Sequence, residues 1–256
     1  MITRKELEDF ARLKGLSLGN AEKDYLLDIA LLTLSKNTKN ELVFKGGTCL
    51  YKFHKLDRFS QDLDFSAVLY VDFDRLMKKA AADFERFGIK VGQVHKKKLK
   101  DAVLAKLVVE GPLYSGNPLS RASLSVDINT RSKVILEPET LSHNPLYQEV
   151  PAMSVLCMQQ EEIFAEKIRA LLIRQQARDL FDLHFLLKRG ISADKRIIAK
   201  KMEYYGKKFD IVILLESLAL LKKRWQKELE GLTASLPKFD DTYKYVAAKL
   251  KELYSS

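Results

Sequence analysis

Two hydrophobic periods divide the chain. In NAEKDYLLDIALLTLSK, positions 20–36, Tyr25, Leu26, Ile29, Leu32 and Leu34 recur at roughly helical spacing, and Asn20 is placed to cap the start. The first 40 residues therefore read as helical. ELVF at 41–44 is a short apolar strand running into glycines, DLDFSAVLYV reads as another strand, and FDRLMKKAAADFERF predicts a helix over about 72–87. IKVGQV, AVLAKLVVEGPL and RASLSVDINT add three strand-like stretches, with Gly111, Pro112, Gly116, Asn117 and Pro118 marking the turn between the last two. From position 159 the period is helical throughout: EEIFAEKIRALLIRQ, RDLFDLHFLLKR, runs around 194–205 and 210–230, and FDDTYKYVAAKLKEL. The pattern predicts an α/β (α+β) domain with a small mixed sheet, residues 1–155, followed by a helical bundle, residues 156–256, with a cleft between them.

Composition narrows the class. At 256 residues with 46% hydrophobic and 30% charged positions, the chain can bury a substantial core. Cys49 and Cys157 lie far apart with no Cys-x-x-Cys, which argues against a disulfide framework or zinc cluster and for a reducing compartment. The start, MITRKELEDF, has no apolar signal segment, and no apolar run is long enough to span a bilayer, so a cytoplasmic protein is expected. Charge adds a partner class. Lys plus Arg number 44 against 34 acids, a formal +10, with clusters at HKKKLK (95–100), KK (207–208) and KKRW (222–225). Solvated faces explain any one cluster; together they favour an anionic partner such as nucleic acid.

The candidate chemistry sits at FKGGTCLYKFHKLDRFSQDLDFS, positions 44–66. On a strand, residues two apart share a face, so Asp62 and Asp64 project together while Leu63 and Phe65 turn to the core. Side by side, two carboxylates repel by roughly 4 kcal/mol at 4 Å in an effective dielectric of 20. Water relieves that on an exposed strand; Mg²⁺ relieves it more directly, and binds one or two carboxylates together with phosphate oxygens. In RASLSVDINT, Asp127 lies on the polar face of a second strand. Were the two strands neighbours, three carboxylates would suit a pair of metals about 3.5–4 Å apart. Gly46, Gly47 and Thr48, turning from strand into helix, offer backbone N–H groups and a hydroxyl to phosphates. Cys49 is expected to pack beneath that turn.

KGGT, thirteen residues, then D-L-D preceded by R-F-S resembles the first motif of the AbiEii/AbiGii toxin family, nucleotidyltransferases of the DNA polymerase β-like superfamily from type IV toxin–antitoxin systems. This chain has Gly-Thr where the broader superfamily has Gly-Ser, and a longer spacer. The resemblance implies a polymerase β-like domain, a metal site of Asp62, Asp64 and Asp127, an NTP substrate with Mg²⁺ or Mn²⁺, an RNA acceptor (the 3′ end of tRNA in some relatives) and a cognate antitoxin. Transfer to a protein hydroxyl or a small molecule, or a catalytically silent binding module of the same fold, are the rival readings.

In the helical half, Lys167 has Ile163 and Phe164 one turn before and Ala170 and Leu171 one turn after. A lysine in an apolar stripe snorkels outward or meets an anion. E-K-I-R-A-L followed by R-D-L-x-D-L again resembles the family pattern, whose later motifs supply a lysine and an aspartate. Lys167 carries over as the lysine that neutralises the triphosphate, and Asp182, favoured over Asp179, as the aspartate. Arg178 joins the expected phosphate-binding set or pairs locally with the aspartates. His184, among Leu180, Phe181 and Leu187, reads as a core residue rather than a ligand.

Overall fold

The computed structural model describes residues 1–38 and 40–254; position 39 of the N-terminal helical stretch and the last two residues of the second expected domain lie outside the described residues. The chain divides into two units. The first comprises 1–55, 59–134 and 138–157; the second comprises 56–58, 135–137 and 158–256. The two short excursions into the second unit were not foreseen.

In the first unit, α1 (Arg4–Lys14) opens with a Thr3/Glu6 capping box and closes on Gly15 in the left-handed region. Helix α2 (Leu18–Asn37) begins earlier than the sequence reading placed it. Its cap is Ser17, whose hydroxyl accepts from the Asn20 N–H, so Asn20 is a first-turn residue rather than the cap. The strands follow as β1 (Leu42–Lys45), β2 (Asp62–Ala67), β3 (Lys90–Lys98), β4 (Ala102–Glu110), β5 (Ala122–Asn129), β6 (Glu139–His143) and β7 (Met153–Cys157), with α3 (Gly46–His54) after β1 and α4 (Phe73–Arg86) after β2. They form one mixed sheet in the order β3-β4-β5-β2-β1-β7-β6 among the described residues. β2–β5 and β1–β7 pair parallel; the other neighbours pair antiparallel. Strands β6 and β7 were not predicted.

Period-two burial fixes which face is core. Leu63 and Phe65 of β2, Ala105, Leu107 and Val109 of β4, and Leu124, Val126 and Ile128 of β5 are all buried on one side, the side on which α2 and α4 lie. Helix α2 is buried almost all round and carries two fully buried aspartates, Asp24 and Asp28. Lys52 of α3 answers both, at 2.6 and 2.8 Å, while Tyr147 donates to Asp24 and His143 bonds Asp28. Burial alone would raise the Asp24 carboxyl; Lys52 and Lys14 outweigh it and hold it down to about 2. This network locks α3 against α2 and so fixes the turn that precedes α3.

The second unit is helical: α5 (Gln160–Ile173), α6 (Ala177–Lys188), α7 (Lys195–Glu203), α8 (Ile211–Ala219), α9 (Lys222–Leu229) and α10 (Phe239–Tyr254). The single run expected around 210–230 is two helices, broken at Leu220 and Leu221. The 135–137 excursion is held by Glu162 of α5, whose carboxylate accepts from the Ile135 and Leu136 N–H groups and pairs with the fully buried Lys201 of α7.

Candidate active site

Strands β2 and β5 are direct neighbours, and their register sets Asp64 opposite Asp127 and Asp62 opposite Ser125. Paired residues share a face, so all three aspartates stand on the side of the sheet away from Leu63, Phe65, Val126 and Ile128. Each is half-buried. On the other flank β1 places Lys45, itself buried, opposite Asp64. A cation therefore neighbours the acidic pair within the strand layer, a residue the sequence reading did not single out.

The glycine turn closes on the same carboxylate. Gly46 has φ 76°, and a Cβ there would stand 2.6 Å from Asp64 Oδ2. Only glycine meets both demands: the left-handed backbone and the absence of a side chain where Asp64 sits. Helix α3 starts here with no side-chain cap, which leaves its first-turn N–H groups without the usual side-chain acceptor. Thr48 is fully buried; its hydroxyl donates to the Asp62 carbonyl and shares a hydrogen bond of 2.9 Å with Ser60 Oγ. The hydroxyl assigned to phosphate from the sequence is thus engaged with the chain, where it fixes the entry into β2. Cys49, the next residue, is fully buried.

In the second unit Lys167 is buried and bonds Asp179 at 2.9 Å and Asp182 at 2.6 Å. Asp182 is fully buried and receives two further bonds from Arg58 Nε and an Arg58 terminal nitrogen, both 2.7 Å. Asp179 takes Arg174 through Nε and a terminal nitrogen at 2.9 Å each. Arg178, the expected partner, is not one of them. Burial would push the Asp179 carboxyl up, but Lys167 and then Arg174 hold it far below the usual carboxylate range. Arg58 of the R-F-S element, like Lys45, is a residue that sequence reasoning missed. His184 rests edge-on against Tyr245 and partial burial lowers its pKa, but it is half-buried rather than in the core.

The family model for the nucleotidyl transferase AbiEii toxin, type IV toxin–antitoxin system, matches residues 30–245. The chain belongs to the AbiEii family. As an AbiEii-family protein it is a nucleotidyltransferase of the toxin type, and membership brings with it an NTP substrate and an antitoxin partner. Among solved structures it is similar to MenT4, a nucleotidyltransferase toxin from Mycobacterium tuberculosis, at 22% identity and TM-score 0.71 over 99% of this chain and 91% of that one. It is also similar to JHP933 from Helicobacter pylori, at 20% identity and TM-score 0.61 over 94% of each chain. Both likenesses are likenesses of fold. No curated protein matches the sequence.

AbiEii-type transfer calls for a divalent ion, and the donor chemistry suits one: Asp62, Asp64 and Asp127 offer hard carboxylate oxygens on one strand face. Among the described residues, no three His, Cys, Asp or Glu side chains are gathered into a ready ligand set. No helix of the described residues is long and apolar enough to cross a membrane.

Proposed function

We propose that this chain transfers a nucleoside monophosphate from an NTP to an RNA hydroxyl in the cytoplasm, with the 3′ end of tRNA as the favoured acceptor. The observation that carries the reading is the register of β2 and β5, which sets Asp64 across from Asp127 with Asp62 two residues away on the same face. Asp62, Asp64 and Asp127 would hold Mg²⁺ or Mn²⁺, which when bound neutralises phosphate charge and makes the acceptor hydroxyl more acidic. Asp127 also orients that hydroxyl by accepting its hydrogen bond. The backbone N–H groups of Gly46, Gly47 and Thr48, at an uncapped helix start, bind phosphate oxygens.

Lys167, bonded to Asp179 and Asp182, takes the charge-neutralising role that the family pattern gives its lysine. Asp182, held by Arg58, sets the direction of that ammonium, and Arg178 adds charge for the phosphates. The acceptor O–H bond breaks, an O–P bond to the α-phosphorus forms, and pyrophosphate and a proton leave. Positioning and charge neutralisation supply the catalysis, because phosphoryl transfer asks little covalent chemistry of the protein.

The test is incubation of the full chain with each α-labelled NTP, Mg²⁺, total RNA and cell extract. Label in RNA is the expected result. Label in protein or in small molecules would reassign the acceptor, and growth arrest without label in any fraction would leave a binding module.

A further inference from the structure

The sheet register extends the acidic rows outward. Asp127 pairs with Leu104 of β4, and Leu104 with Lys97 of β3, so Lys97 stands on the same face two strands away, roughly 10 Å from Asp127. The next row runs from Asp62 and Ser125 to Lys106 and His95. Lys97, Lys106 and His95 are exposed. The acids near them are already matched: Glu110 by Arg121 at 2.7 Å, and Asp101 by Arg131 at 2.9 Å. Among the described residues Lys97 and Lys106 have no carboxylate partner. The opposite face of the same ribbon is different, since Lys96 there bonds Asp74 and lies over the Phe73 ring.

We infer that the β3–β4 ribbon is the acceptor-binding surface: the phosphates of a single-stranded RNA end lie on Lys106 and Lys97, and its terminal hydroxyl is thereby aimed at the aspartate rows. This rests on the proposed RNA acceptor and adds where that RNA is held. The side-chain alternation of a strand gives the argument its specificity. HKKKLK is one basic run in sequence, but only every second residue of β3 shares the face of Asp64 and Asp127. A competing use of edge-strand lysines is to discourage edge-to-edge pairing between chains.

The experiment compares Lys97→Gln/Lys106→Gln with a charge-matched control, Lys78→Gln/Lys98→Gln, whose lysines lie beside Asp74 on the opposite side. The probe is a short fluorescein-labelled single-stranded oligoribonucleotide titrated by anisotropy at several salt concentrations, with label transfer to total RNA as second readout. The ribbon variant should bind roughly tenfold more weakly, and its salt slope should shrink by about 1.4, two phosphate contacts at about 0.7 each. Its KM for RNA should rise with kcat within about twofold of the parent, while the control changes little. Equal losses in both variants would reduce the effect to bulk charge and overturn the inference. So would unchanged RNA affinity accompanied by aggregation, which assigns Lys97 on the edge strand β3 to guarding that edge. If the parent chain labels protein or small molecules but no RNA, the acceptor reading itself fails, and that is visible before any variant is made.

Discussion

Asp62, Asp64 and Asp127 stand half-buried on a sheet face, whereas Asp179 and Asp182 lie fully buried among Arg58, Lys167 and Arg174. The side chain is the same; the environment sets its use. In the helical unit, Asp182 receives three charge-assisted bonds and Asp179 three, which leaves them little capacity for a ligand. Their work is to hold a lysine and two arginines in fixed places. On the strands, β-sheet register brings three carboxylates to one face of a layer without gathering them around one another.

If that contrast is right, Asp64→Ala should produce the largest effect and the least structural damage. Transfer should fall about a thousandfold or more, a loss of several kcal/mol of transition-state stabilisation, with thermal unfolding near that of the parent. Steady-state label transfer alongside a melting curve reads both; a variant that keeps its activity would remove Asp64 from the chemistry. The mirror experiment is Arg58→Ala, which removes two of the three charge-assisted bonds to the buried Asp182 and leaves it Lys167 alone. It should cost about 3–5 kcal/mol of stability, measured by denaturant unfolding. Because the two groups act as a pair, Arg58→Ala/Asp182→Ala should cost less than the sum of the single changes. Additive losses would mean the pair is not coupled.

Gly46→Ala tests the join between turn and carboxylate. The left-handed backbone alone should cost about 1–2 kcal/mol, and the new methyl must displace the Asp64 oxygen, so activity should drop more than stability does. The smallest effect is the acid profile. Asp24 and Asp179 have carboxyls held below their unfolded values, so the stability they contribute is complete above about pH 4 and is lost as pH falls toward 2 and below. Urea midpoints measured from pH 6 downward should stay flat and then decline in that window. A decline centred near pH 6 would point to histidine instead.

Much of this architecture is local and therefore legible. Alternation exposes β5, where Leu124, Val126 and Ile128 interleave with Ser125, Asp127 and Asn129, and a 3.6-residue period exposes the helices after position 159. Strand β6, ETLSH, is an edge strand with little buried surface, and MSVLC in β7 is short, so neither announces itself. The break between α8 and α9 falls at two leucines that continue the apolar pattern, and no Gly or Pro marks it. At the site, Asp62 and Asp64 are readable because two residues of one strand must share a face. Their adjacency to Asp127 is a long-range pairing that no local rule encodes. The Arg58–Asp182 pair is harder still, since the partners are 124 residues apart and each looks locally like an ordinary charged residue. Asp179 is met by Lys167 from the middle of α5 and by Arg174 from its C-terminal cap rather than by Arg178, a geometry that spacing along α6 does not reveal.

The two excursions of the first half into the helical unit order events at the ribosome. Arg58 emerges before its carboxylate exists, and at about 5–20 residues per second Asp182 follows roughly 6–25 s later. The Ile135 and Leu136 amides likewise wait for Glu162. A nascent chain stopped before α6 lacks Asp179 and Asp182, so it cannot assemble the Lys167 cluster whatever its strands have done.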